Sequence, residues 1–125
     1  MILRNELYTI KGKDVTDKGA SYDVRLNPSH FIYQAHFPGE PITPGVCIVQ
    51  IAKELLEDFM GKLLQIDKVK NVKFLSVLTP RQSLDVNYSL GKIVLDEASG
   101  SVKAQTVVTS ADEVKAKISF TCTLQ

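Results

Sequence analysis

One stretch of this chain has the spacing of a long helix, and nearly every other apolar segment reads as strand. Between Pro44 and Gly61, Val46, Ile48, Val49, Ala52, Leu55, Leu56, Phe59 and Met60 recur as the wide stripe of a buried helix. Gln50, Lys53, Glu54, Glu57 and Asp58 fall on the opposite side, which reads as a solvated face. Thr43-Pro44 has the form of an N-cap followed by proline at the first helical position, and Gly61 is the expected stop. Cys47 extends the apolar surroundings at the helix start, so the helix is expected to begin dry on all sides. It should become amphipathic only after Gln50.

Ahead of the helix, residues 6–10 and 21–26 have period-two character and are separated by residues 11–19, which contain Gly12, Asp14, Asp17 and Gly19. They read as an antiparallel pair. Behind it, residues 66–78, 83–90, 102–109 and 114–124 are four further strand-like segments. In the last of these, Val114, Ala116, Ile118, Phe120, Cys122 and Leu124 alternate with Lys115, Lys117, Ser119, Thr121 and Thr123. One face of that strand should be dry and the other wet. A single helix among six strands can bury its apolar stripe only against one sheet. The expected class is therefore α+β: a hot-dog fold, one long central helix wrapped by a single antiparallel sheet. All of residues 1–125 are read as one domain. Such a sheet leaves an edge strand free to pair with a second copy, so a two-fold dimer is expected.

Composition narrows the function classes. With 15 Lys and Arg against 14 Asp and Glu, the net charge is +1, and the basic residues are scattered along the chain. Nothing here favours nucleic acid or an anionic membrane. No apolar run approaches the ~20 residues of a membrane span, and the start of the chain lacks the basic-then-apolar pattern of a signal peptide. Cys47 and Cys122 lie in apolar segments and read as buried free thiols, so a cytoplasmic location is the expectation. No cofactor is called for. No metal is either, because no His/Cys/Asp spacing suggests a ligand set.

The chemistry concentrates in residues 28–43, a long loop feeding the helix. Asn27-Pro28 breaks the preceding strand, and loops of this length are usually functional. Within it runs His36-Phe37-Pro38-Gly39-Glu40-Pro41-Ile42-Thr43-Pro44-Gly45-Val46. Three prolines and two glycines stiffen the backbone and permit close approach to a ligand. His36 opens this stiffened stretch; taken alone, a histidine there reads more often as structural than as a base. His30 has no such setting and reads as a loop or solvent-facing histidine.

This string resembles the signature of the bacterial 3-hydroxyacyl-(acyl carrier protein) dehydratases, hot-dog enzymes of fatty-acid synthesis and related polyene pathways. Residues 71–80, Asn-Val-Lys-Phe-Leu-Ser-Val-Leu-Thr-Pro, look like the strand that follows the helix in that family. The resemblance implies elimination of water from 3-hydroxyacyl thioesters to give trans-2-enoyl thioesters. His36 would be the base that removes the C2 proton. The N–H groups at the Gly45-Val46 helix start would polarise the thioester carbonyl. Phe37 and Val46 would wall the acyl tunnel.

One position departs from the family pattern. The helix of these enzymes carries Glu or Asp fourteen residues after the motif histidine, usually facing the partner subunit's histidine, and here that position is Gln50. Glutamine hydrogen-bonds but carries no proton for catalysis. Three readings stay open. Gln50 orients the substrate while His36 alone shuttles the proton; or the chain is a non-catalytic acyl-binding or partner subunit of a catalytic homologue; or Glu54, one turn on, supplies the acid. A hot-dog thioesterase is a further alternative, since fold does not decide chemistry. The implied partners are an acyl carrier protein bearing the substrate and a second copy or a homologue. Lys70, Lys73 and Arg81 are available as a basic landing patch for the carrier.

Overall fold

The computed structural model describes residues 1–35 and 39–125. The chain runs through β1 (Tyr8–Thr16), β2 (Gly19–Leu26), the one-turn helix α1 (Ile32–Ala35), the long helix α2 (Gly45–Met60), and then β3 (Leu64–Phe74), β4 (Asp85–Asp96), β5 (Ser101–Ser110) and β6 (Glu113–Leu124). All six strands form one sheet in the order β1-β2-β4-β5-β6-β3, each neighbouring pair antiparallel. The sheet carries α2 on its inner face, the hot-dog arrangement that one helix among six strands requires.

Alternation sets which face each strand residue takes. In β6, Ala116, Ile118, Phe120 and Cys122 are buried under the helix, as the period-two pattern predicts. Ile48, Ile51, Ala52, Leu55 and Leu56 of α2 meet them together with Val86, Leu90, Val102 and Val108. Each such aliphatic side chain removed from water stabilises the fold by ~1.5–3 kcal/mol. Three tyrosines that are fully buried tie sheet to helix through their hydroxyls. Tyr8 donates to Glu54, Tyr22 to Asp58 and Tyr88 to the Ile48 carbonyl, at 2.9, 2.6 and 2.9 Å.

Several boundaries differ from the sequence reading. β1 does not end at residue 10: a bulge between Ile10 and Gly12 lets it continue to Thr16, paired with the start of β2. The segment 11–19 is mostly strand because its backbone is satisfied by β2, despite its glycines and aspartates. β3 stops at Phe74, and residues 75–84 are a connection. Residues 28–43 contain the turn of helix α1, started where His30 Nδ1 accepts the Ile32 N–H at 3.0 Å. Lys115, read as a wet-face residue, is 1% exposed. Residues of the 75–84 connection close over it, and the Lys115 ammonium donates to Gln82, Glu113 and Ser76 at 2.7, 3.0 and 3.4 Å.

The start of α2 also differs. Pro44 is itself the N-cap residue, with extended φ/ψ of −61° and 146°, and no side chain caps the helix. Thr43 is unavailable because its hydroxyl is buried in a hydrogen bond with the Tyr33 hydroxyl at 2.9 Å. Gly61 closes the helix as expected, at φ 65°, where its missing Cβ costs nothing.

Candidate active site

The described part of the motif runs from Gly39 into α2; His36 and Phe37 lie outside the described residues. Two ties hold the helix start. The Thr43 N–H donates to the Leu78 carbonyl at 2.8 Å, and Tyr88 grips the Ile48 carbonyl one turn in. Between them a hollow of about 450 Å³ opens, bordered by Ile42, Gly45, Ile48, Phe74 and Val77. Among the described residues nothing accepts the N–H groups of Gly45 and Val46, and the first backbone bonds of the helix are those of Cys47 and Ile48 to the Pro44 carbonyl. Free N–H groups at a helix start form a ready site for a developing negative charge.

Glycine at position 45 has a steric reason that the motif does not disclose. A Cβ there would sit 2.7 Å from the tip of the Phe74 ring, so glycine is what lets this ring come so close to the helix start. Val46 is 68% exposed. This corrects the expectation of a helix start wrapped on all sides: one side of the first turn is open, and Phe74, Leu75 and Val77 continue the exposed apolar surface.

Gln50 does not share this hollow. Five residues along a helix is a rotation of about 140° and a rise of about 7.5 Å, so its side chain leaves the opposite flank from Gly45. There it borders a second hollow, of about 580 Å³, roofed by Met1, Ile2 and Arg4. Its amide nitrogen donates to the Met1 carbonyl at 2.8 Å and to Glu54 Oε2 at 2.9 Å.

Glu54 corrects two readings at once. It is neither a surface residue nor a spare acid, being 7% exposed with both oxygens occupied. Oε2 accepts the Leu3 N–H as well as Gln50, and Oε1 accepts the Arg4 N–H and the Tyr8 hydroxyl, at 2.8, 2.8 and 2.9 Å. The N-terminal segment is thereby fastened across the helix. One turn on, Asp58 extends the fastening to Arg4, Lys13 and Tyr22. Burial pushes the Asp58 carboxyl up, but hydrogen bonds from Tyr22, Lys13 and Arg4 outweigh it and hold it below its ordinary range. Burial first, and then Glu54 beside Tyr8 and Asp58 beside Tyr22, push the two phenols up. Leu3 and Arg4 have no strand or helix pattern that could have announced this role.

The remaining candidates are settled by burial. Cys47 and Cys122 are buried free thiols, as read, and burial pushes both up, Cys122 to about 11. His30 stacks on Phe31 at 4.7 Å besides starting α1, a loop role. Arg81 lines a separate small hollow with Ile42 and Val77, away from Lys70. Among the described residues no helix is long and apolar enough to cross a membrane.

A six-stranded antiparallel sheet around one helix, with an open helix start following a Pro/Gly-stiffened loop, defines a hot-dog protein with its candidate site at that helix start. Comparison with known proteins is more specific. Residues 12–123 match the ApeI-like family model, described as ApeI dehydratase, and the chain belongs to that family. Among curated relatives, the 3-hydroxyacyl-[acyl-carrier-protein] dehydratase FabZ of Latilactobacillus sakei is 31% identical over 108 residues, 81% of this chain and 74% of the relative. The FabZ of Fusobacterium nucleatum is also 31% identical, over 93% of this chain and 76% of its own length. Among solved structures, the dehydratase heterocomplex ApeI:P from Xenorhabdus doucetiae superposes with a TM-score of 0.65 at 17% identity, covering 91% of this chain and 96% of that one.

Proposed function

We propose that this protein eliminates water from 3-hydroxyacyl thioesters carried on an acyl carrier protein, giving trans-2-enoyl thioesters. The observation that carries the reading is the uncapped start of α2, where the Gly45 and Val46 N–H groups have no acceptor among the described residues and Gly45 borders an apolar hollow. A thioester carbonyl placed there gains two donors and the positive end of the helix dipole, which makes its C2 proton removable. His36 takes that proton, the C2–C3 double bond forms as the C3–O bond breaks, and the same imidazolium returns the proton to the departing hydroxyl as water. This one-group shuttle balances without a second acid. Gln50 suits an orienting role only through its amide oxygen, because its NH₂ is spent on Met1 and Glu54.

That spent amide supports a second reading. The helix position at which family members carry an acid is here a fastener. A chain of this kind can serve as one half of an assembly in which a homologous subunit brings Glu or Asp to His36.

Turnover of 3-hydroxyacyl-carrier substrates by wild type and His36→Ala tests the proposal, with free thiol followed in parallel. A loss of roughly 10²–10⁴-fold in His36→Ala is expected. Full activity in that variant would overturn the assignment. Thiol release in place of enoyl product would mean a thioesterase. Ligand binding without turnover, cured by adding a homologue with an acid at the position of Gln50, would favour the partner-subunit reading.

A further inference from the structure

Half of the chain's lysines, scattered in sequence, converge on the outer face of the sheet. Strand register sets Lys68 of β3 and Lys103 of β5 on either side of Thr121 of β6, and Lys73 opposite Lys117. Register shifts between Val69 and Asn71 and between Gly91 and Val94 add Lys70 and Lys92 to the same face. Among the described residues none of these six makes an ion pair.

Lys70, Lys92 and Lys103 wall a hollow of about 220 Å³, with Ser119 and Thr121 also lining it. Thr121 is 7% exposed and its hydroxyl has no hydrogen-bond partner. Ammonium groups gathered without counter-charge, next to a buried hydroxyl left unsatisfied, together point to an anionic occupant.

Size and position choose the kind of occupant. Neighbouring strands lie ~4.8 Å apart, so the four strands β4-β5-β6-β3 spread these charges over roughly 15 Å. That is too wide for one phosphate and matches the flank of a helix ~10–12 Å across. Phe120, the aromatic residue bordering the hollow, is buried, so no exposed ring is offered there for stacking a nucleobase. The face also reaches the candidate site: Lys73 and Lys117 adjoin Phe74 and Ala116, and the Phe74 ring lies against Gly45.

We infer that the outer face of β4-β5-β6-β3, centred on Lys70, Lys92 and Lys103, is the docking surface for an acidic carrier protein that presents the acyl thioester. The identity of that partner rests on the dehydratase reading; the surface itself does not. The test uses binding of the apo form of a bacterial acyl carrier protein, followed by calorimetry at low and moderate salt. Alongside it, turnover is measured on carrier-linked substrate and on the matching N-acetylcysteamine thioester. The triple variant Lys70→Glu/Lys92→Glu/Lys103→Glu is compared with a triple Lys→Gln variant and with Lys62→Glu, which lies outside this face.

Charge reversal is expected to weaken carrier binding and raise the carrier-substrate KM by about tenfold or more, with neutralisation intermediate and salt mimicking the loss. Turnover of the small thioester and the Lys62→Glu protein should match wild type. Unchanged carrier binding in both triple variants would overturn the inference, as would equal losses on both substrates. So would wild-type affinity for single-stranded RNA with none for the carrier. If wild type turns over neither substrate, the dehydratase reading fails, and the calorimetry alone decides the docking surface.

Discussion

At its N-terminal end α2 offers two uncapped N–H groups and a Val46 side chain in the open, whereas two turns on Glu54 and Asp58 accept hydrogen bonds from three other segments of the chain. The same helix thus has an unsatisfied end and a saturated one. Backbone donors left without partners cost stability unless something binds them, so the open end is where a ligand gains most. The saturated half does the opposite job. It spends its polar groups on the N-terminal segment and on β1 and β2, leaving nothing over for a substrate. Substitutions at one end should therefore cost activity and at the other stability, and that separation can be broken experimentally.

The largest effect is expected from Glu54→Leu. It strands the Leu3 and Arg4 N–H groups, the Tyr8 hydroxyl and the Gln50 amide, and should cost ~3–5 kcal/mol in denaturant unfolding. The folded fraction should keep its turnover per molecule; a specific loss of activity at full stability would place Glu54 in the chemistry after all.

Gly45→Ala should show the reverse. The new Cβ meets the far end of the half-exposed Phe74 ring, which can swing aside, and alanine favours a helix by about 1 kcal/mol over glycine. Stability should change by no more than about 1 kcal/mol while turnover falls about tenfold or more, because the added Cβ and the displaced ring crowd the hollow through which a thioester carbonyl would reach the Gly45 and Val46 N–H groups. Equal activity would separate Gly45 from the reaction.

Gln50→Glu sharpens the comparison at the boundary between the two halves. Its carboxylate would face the Met1 carbonyl and Glu54, acceptors both, so the fastening loses its donor. These neighbours raise the new group's folded-state pKa, so the stability it contributes is present at acid pH and lost as pH rises through that value. A deficit of ~1–2 kcal/mol near neutrality, shrinking at pH 4, is expected from unfolding curves. No deficit at neutral pH would mean that residues 1–4 are held by Glu54 alone.

The smallest effect belongs to Asp58→Asn. The folded Asp58 carboxyl is held below its ordinary range, so its contribution is full above that range and lost as pH falls through the depressed folded value. The variant should lose ~1 kcal/mol or less at pH 7 and show a flatter acid limb in thermal melts below about pH 4. An unchanged acid limb would remove Asp58 from the fastening.

What could be read in advance follows from short-range regularity. The spacing of Ile48, Ala52, Leu55 and Leu56 announces α2, Gly61 announces its end, and the alternation Ala116, Ile118, Phe120, Cys122 announces a half-buried strand. Those patterns are local because helix and strand periods are local. One helix among six strands then leaves a single architecture, and the Pro/Gly-rich loop before the helix marks the candidate site. Glu54, Lys115 and the six outer-face lysines are different. Each looks like a solvated charge in sequence, and its fate depends on segments far along the chain: residues 3, 4 and 8 for Glu54, the 75–84 connection for Lys115, and the register of four strands for the lysines. Sequence alone determined the long helix, the number of strands, the fold class and the motif, because backbone geometry and apolar burial act over a few residues at a time. Helix α1, the second half of β1 and the end of β3 waited on their tertiary neighbours. Tertiary structure alone decided which charges are buried, which are paired and which are gathered, because Coulomb forces and hydrogen bonds act between whatever atoms the packing brings within a few ångströms.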